Sequence, residues 1–143
     1  MPPSTLARPV LYGTAMAKNV HELLVFQKAC LAADALFALL KSTPLGKDRD
    51  LGSQLSRASV RVVSDIAEGF EQKTDRHFTR YLYDARGGAA EIRAQLSIAC
   101  GRRYIENDDR QAVSSRYEEV GRMLTGLIRH LEREDRPRRQ AHK

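Results

Sequence analysis

The sequence predicts an all-α protein folded as an antiparallel up-down-up-down four-helix bundle. Apolar residues recur at spacings of three and four in four segments of the 143-residue chain, which is the period of an amphipathic helix. Short stretches containing Ser, Pro, Gly or Asp separate these segments. The chain contains no tryptophan and is rich in Ala, Leu and Arg, a composition that favours helix over sheet.

The first helix is predicted over residues 20–41, where apolar side chains form a heptad-like seam. The positions expected to face the core are Leu23, Phe26, Cys30, Ala33, Phe37 and Leu40, and the apolar face is widened by Leu24, Leu31, Leu36 and Leu39. The following segment, STPLGKDRD, contains Ser, Pro and Gly and therefore predicts a break.

The second helix is predicted over residues 50–71. Its expected core stripe consists of Leu55, Ser59, Val62, Ile66 and Phe70. Near its end, Gly69 and the segment EQKTD indicate a helix terminus and a tight turn rather than a reactive site. Thr74 is a suitable N-cap for the next helix.

The third and fourth helices are predicted over residues 74–101 and 107–135, and Pro137 is expected to end the fourth. In both helices the spacing between successive apolar residues alternates regularly between three and four. The expected core positions are Phe78, Leu82, Ala85, Ala89, Ile92, Leu96 and Ala99 in the third helix, and Val113, Tyr117, Val120, Leu124, Leu127 and Leu131 in the fourth.

Glycines inside the last two helices call for an explanation, because each costs about 1 kcal/mol relative to alanine in a helix interior. They are Gly87, Gly88, Gly121 and Gly126. Close approach of neighbouring helices is the favoured interpretation, and a ligand pressed against the backbone is the alternative.

No motif indicates an enzyme, and we predict no catalytic, cofactor-binding or metal-binding residues. The Glu-x-x-His pairs of di-iron bundles and the glycine-rich phosphate loops are both missing from the sequence. Cys30 and Cys100 lie in apolar helical contexts and are interpreted as small hydrophobic residues. Asp65 and Glu68 share a helix face that is either solvated and ion-paired or, less favoured, an acid–base pair.

The positive charge lies at the two ends of the chain. Of the 24 basic residues, six lie in residues 1–18 and 136–143, and the other 18 are balanced by the 18 acidic residues of 19–135. We therefore expect a flexible N-terminal extension (1–18), a neutral bundle (19–135) and a basic C-terminal tail (136–143). The tail is either a phosphate-binding segment or a solubilising terminus.

Arginines grouped on helix faces are further candidates for phosphate contacts, although ion pairing with interleaved acids is the alternative. The predicted nucleic-acid-binding residues are Arg57, Arg61, Arg76, Arg80, Arg122, Arg129 and Arg133 in the body and Arg136, Arg138, Arg139 and Lys143 in the tail. No apolar stretch reaches the roughly 18 residues of a membrane span, and no signal-peptide pattern is present. We therefore expect a soluble cytoplasmic protein.

Several of these segments resemble a bacterial family of four-helix bundle proteins, some encoded within intervening sequences of large-subunit rRNA genes. The resemblance covers residues 20–134. The matching signature residues are Ile66, Ala67, Glu68 and Gly69 at the end of the second helix, and Phe78, Tyr81, Leu82, Gly87, Gly88 and Glu91 in the third. One departure is Arg103, which occupies a position where the family usually has glycine before Tyr104.

The resemblance implies a homopentamer and no established catalytic activity. It also implies kinship with accessory proteins of diversity-generating retroelements, which assist a reverse transcriptase and bind nucleic acid. The expected partners are therefore further copies of this chain, RNA or DNA, and a reverse transcriptase or another protein, with no membrane. We predict a nucleic-acid-binding or ribonucleoprotein accessory module, and a protein-interaction scaffold is the alternative.

Overall fold

Four antiparallel helices account for most of the chain in the computed structural model, which describes residues 8–9 and 16–141 and the side chains of residues 17–134. The helices are α1 (Leu24–Ser42), α2 (Arg49–Phe70), α3 (Asp75–Gly101) and α4 (Asn107–Ala141). A short antiparallel ladder, β1 (Arg8–Pro9) with β2 (Met16–Ala17), precedes them. The all-α four-helix fold predicted from the sequence is confirmed.

Polar side chains at the helix starts satisfy backbone N–H groups that have no partner within the helix. Asp48 Oδ1 accepts a hydrogen bond from the Leu51 N–H at 3.0 Å, and Thr74 Oγ1 accepts one from the His77 N–H at 3.2 Å. The predicted N-cap at Thr74 is thus confirmed. These caps set where α2 and α3 begin, and short connections force each helix to return beside the previous one.

The core is built from the stripes predicted for the last three helices. All five stripe residues of α2, all seven of α3 and all six of α4 are buried. Each helix packs against its sequence neighbours, and α1 also packs against α4, which closes the bundle. The spacing of apolar residues in these three helices identified the buried face of each one, because the other faces are polar.

The predicted seam of α1 is only partly correct. Leu23 and Phe26 are buried as expected, and so are Leu36 and Leu39 beside the seam. The helix also buries Val25, Ala29 and Ala32, which were not predicted. Phe37, expected in the core, is 59% exposed. Only five of the 19 residues of α1 are polar or charged, so its apolar pattern does not select one face.

The C-terminal boundary of α4 also differs from the expectation. The helix continues through Pro137 to Ala141 instead of ending near residue 135. Proline removes one backbone N–H, but its fixed φ of about −65° is itself helical. Residues 136–141, expected as a tail, are therefore helical in backbone. Most of the flexible extension expected for residues 1–18 lies outside the described residues.

The glycines of the bundle differ in their surroundings. A Cβ added at Gly88 would lie 2.9 Å from Val62 Cγ2, and one added at Gly69 would lie 2.7 Å from Tyr81 Cβ. Close approach of α2 and α3 therefore accounts for Gly88. At Gly87 and Gly121 a Cβ would meet nothing within 4 Å, so the close-approach interpretation is wrong for these two.

Candidate nucleic-acid interface

The antiparallel pairing of α3 and α4 brings the beginning of α3 beside the end of α4. The Tyr83 hydroxyl donates a hydrogen bond to Glu132 Oε1 at 2.5 Å. About one turn further along α3 and two turns back along α4, Arg86 Nη1 donates to Thr125 Oγ1 at 3.3 Å. These two contacts set the register of the helices at this end of the bundle.

This register aligns candidate residues that are far apart in sequence. From Tyr83, about one turn and two turns toward the start of α3 lead to Arg80 and Arg76. The same rise along α4 from Glu132 leads to backbone positions 136 and 139, both arginine in the sequence. The side chains of residues 135–141 lie outside the described residues, as does Lys143 entirely, so the alignment concerns the backbone.

An open cavity of about 740 Å³ lies over the first turns of α3. Its lining residues are Thr74, Arg76, His77, Thr79, Arg80 and Tyr83. The hydroxyls of this lining are already engaged, since Thr79 Oγ1 donates to the Asp75 carbonyl at 2.7 Å and Thr74 Oγ1 caps α3. The two arginines are therefore the main groups left to bind an anion.

Four exposed arginines at this end form no ion pair within the described side chains: Arg76, Arg80, Arg129 and Arg133. We call them, with the cavity, the basic end. Arg122, by contrast, donates to Glu118 Oε1 at 3.0 Å, so its charge is locally offset. The ion-pair interpretation is correct for Arg122.

The remaining body candidates lie elsewhere. Arg57 and Arg61 are exposed on α2, and Arg57 donates to Ser53 Oγ through Nε at 3.2 Å and Nη2 at 2.9 Å. They do not line the cavity at the start of α3. The seven body candidates thus divide into a group of four at the basic end and three that are separate or offset.

Tyr83 belongs to the site although the sequence analysis did not single it out. The Arg86 guanidinium carbon lies 4.8 Å from the centre of the Tyr83 ring, and 42% of the residue remains exposed. The hydrogen bond to Glu132, more than burial, raises the pKa of the Tyr83 hydroxyl above its usual value. The signal available in the sequence was its spacing of seven and three residues from Arg76 and Arg80.

The carboxylates considered for acid–base work do not form a catalytic arrangement. Asp65 is half-buried, and burial first and the Asp84 carboxylate second raise its pKa above the usual value. Its Oδ2 has no hydrogen-bond partner among the described residues. Glu68 is exposed, and neither carboxylate lines the cavity at the start of α3.

The described residues contain no group of three or more His, Cys, Asp or Glu side chains placed to hold a metal ion. Cys30 and Cys100 are free thiols, both half-buried. Burial, and to a lesser extent the Asp34 carboxylate, raises the pKa of Cys30 and keeps it in the less reactive thiol form.

The residues that carried the family resemblance shape the contact between α2 and α3. Ile66 and Leu82 are fully buried, and the Phe78 ring packs edge-on against Phe70 at a centroid distance of 6.1 Å. Tyr81 and Phe78 fill the space that a side chain at residue 69 would need. Glu91 Oε1 accepts a hydrogen bond from Gln95 Nε2 at 3.2 Å. These residues organise the bundle rather than the basic end.

No helix in the described part of the chain has both the length and the apolar character needed to cross a membrane.

Comparison with known proteins matches the chain to a family model and to solved structures. The model of the 23S rRNA-intervening sequence protein family matches residues 21–126. A crystal structure from Bacteroides thetaiotaomicron VPI-5482, of a protein with unknown function from the S23 ribosomal protein family, aligns with a TM-score of 0.66. The identity is 20%, and the alignment covers 73% of this chain and 97% of that one, so the likeness supports the fold. No curated protein matches the chain.

Proposed function

Because the chain belongs to the 23S rRNA-intervening sequence protein family, we propose that it is a non-enzymatic, oligomeric helical-bundle protein of the cytoplasm that binds RNA through its basic end. The family and its structural relative carry no description of an enzymatic activity. The proposed role is that of a ribonucleoprotein accessory module.

The observation that carries this proposal is the group of arginines where α3 begins and α4 ends, which form no ion pair within the described side chains. Arg76 and Arg80 line a cavity, and α4 continues past Arg129 and Arg133 into a helical segment whose sequence is RPRRQA. Arginine guanidinium groups bind phosphates through several N–H donors in a fixed plane. An RNA backbone provides closely spaced phosphates, so it matches a surface of this kind.

Self-association would multiply this interaction. The exposed apolar residues Leu31 and Phe37 on α1 support the formation of a homo-oligomer, and the family resemblance suggests five copies. Several basic ends on one particle would engage one RNA simultaneously, which raises the effective affinity without any new contact.

The proposal is tested by measuring fluorescence anisotropy of a labelled RNA over about 50–300 mM salt. For the full-length double variant Arg76→Gln/Arg80→Gln we expect roughly tenfold weaker binding and a salt slope reduced by about one for each lost phosphate contact. The triple variant Arg136→Gln/Arg138→Gln/Arg139→Gln should show the same direction of change, because the backbone of α4 continues the basic end at these positions.

The matched control is Arg57→Gln/Arg61→Gln, which removes the same charge from α2. We expect its affinity to stay within about twofold of the parent protein. An equal loss in both double variants would contradict a localised site. Failure of the unmodified protein to bind RNA at low salt would overturn the proposal and favour a protein-interaction scaffold, with a reverse transcriptase or another protein as partner.

A further inference from the structure

Tyr83 is an aromatic residue held in place yet left open to solvent. Its hydroxyl is bound to Glu132, one region of the ring is covered by Arg86, and 42% of the residue is exposed. The cation–π contact and the hydrogen bond restrict the ring from two sides. A ring with restricted motion loses little further entropy when a flat group stacks on it.

The cavity beside Tyr83 combines this ring with two cations. Arg76, Arg80 and Tyr83 are spaced by four and three residues, so they share one face of α3, with rises of about 6 and 4.5 Å between them. A nucleotide presents a flat base and an anionic phosphate at comparable separations. The cavity volume of about 740 Å³ is in the range of small-molecule pockets, and a duplex is too wide to enter it.

We propose that this cavity binds single-stranded RNA, with one base stacked on Tyr83 and neighbouring phosphates on Arg76 and Arg80. The inference rests on the proposed RNA-binding function and adds to it a preference for unpaired bases. In a duplex the base faces are already stacked, so only a single strand offers a free face to the ring. The Arg86 guanidinium already lies over one face of the Tyr83 ring, so a base stacked on the opposite face would complete a three-layer stack.

The test compares a labelled single-stranded RNA of about 12 nucleotides with a duplex of the same sequence, using the full chain. The unmodified protein should bind the single strand about tenfold more tightly than the duplex. Tyr83→Leu removes the aromatic face and should weaken single-strand binding about tenfold and duplex binding much less.

Tyr83→Phe is the matched control, because it retains the ring and removes only the hydroxyl that contacts Glu132. We expect a clearly smaller loss of affinity than in Tyr83→Leu, because the ring and its contact with Arg86 remain while the hydrogen bond that restricts the ring is lost. A loss in Tyr83→Phe as large as that in Tyr83→Leu would show that the hydrogen bond, not stacking, matters, and would overturn the inference. Circular dichroism of each variant checks that the bundle is intact.

The remaining outcomes separate this inference from the function on which it rests. If Tyr83→Leu binds normally while Arg76→Gln/Arg80→Gln does not, RNA binding stands and stacking is refuted. Equal affinity of the unmodified protein for single strand and duplex also refutes stacking. If the unmodified protein binds neither RNA at low salt, both proposals fail together.

Discussion

Arg103 has a backbone conformation that arginine seldom adopts. Its φ is 63°, in the left-handed region that favours glycine. The conformation allows its N–H to donate to the Cys100 carbonyl and the Tyr104 N–H to donate to the Ala99 carbonyl, both at 3.0 Å. These two bonds close the end of α3 as a Schellman motif, where glycine is the usual residue. The departure from the family pattern noted in the sequence therefore lies at a strained position.

We expect Arg103→Gly to raise the free energy of unfolding by about 0.5–1 kcal/mol, because it relieves the Cβ strain at positive φ. Chemical denaturation monitored by circular dichroism would measure the change. Arg103→Ala is the control, since it removes the same charged side chain but retains the Cβ. An equal gain in the alanine variant would indicate charge repulsion instead of backbone strain.

At the scale of elements, the crossing of α2 and α3 depends on two glycines in contact with the opposite helix. Gly69 lies beneath Tyr81 and Phe78, and Gly88 lies against Val62. The signature Ile-Ala-Glu-Gly thus ends in the residue that lets the start of α3 approach α2. The break between these helices is architectural, as the sequence indicated. Gly69 is needed there because α2 and α3 pack closely against each other, and not because the turn has a special backbone conformation.

Gly69→Ala should destabilise the protein by about 1–3 kcal/mol, because its Cβ would lie 2.7 Å from Tyr81 Cβ and force the helices apart. Gly87→Ala is the matched comparison in the neighbouring helix. A Cβ there meets nothing within 4 Å, so it should stabilise by up to about 1 kcal/mol. Denaturant midpoints measure both changes, and a stabilised Gly69→Ala variant would show that the α2–α3 contact can relax.

At the scale of the whole molecule, α1 carries more apolar surface than the bundle buries. Leu31 is 53% exposed and Phe37 is 59% exposed, and the Lys41 Nζ lies 5.3 Å from the centre of the Phe37 ring. These side chains flank the buried face of α1 on both sides. Burial against a second copy would remove this surface from water, which is the dominant driving force of association.

We expect light scattering coupled to size exclusion to give a particle of about five times 16.1 kDa, as the family resemblance suggests. Leu31→Gln/Phe37→Gln should shift the mass toward that of a single chain. Ile98→Gln, which alters an exposed apolar residue of α3, is the control and should leave the mass unchanged. A measured mass of 16.1 kDa for the unmodified protein would contradict the oligomer.

The basic end shows why the candidate site was only partly predictable. Arg76 and Arg80 were identified together on one face of the third helix, and Arg129 and Arg133 on one side of the fourth. Nothing local indicated which groups on different helices would share a surface. The pairing of Tyr83 with Glu132, 49 residues apart, brings two of these pairs to one end. Which arginines lie together depends on the register between α3 and α4, and residue spacing within one helix does not encode that register.

The sequence by itself determined four helices, the cap at Thr74 and the buried stripes of α2, α3 and α4, because polar residues on the other faces left one orientation. Only the tertiary structure decided which face α1 buries, since that helix is apolar nearly all round, and how far α4 continues beyond Pro137. Periodicity orients a helix when its faces differ. Where they do not, the surrounding helices decide, because they determine which side chains have space to pack.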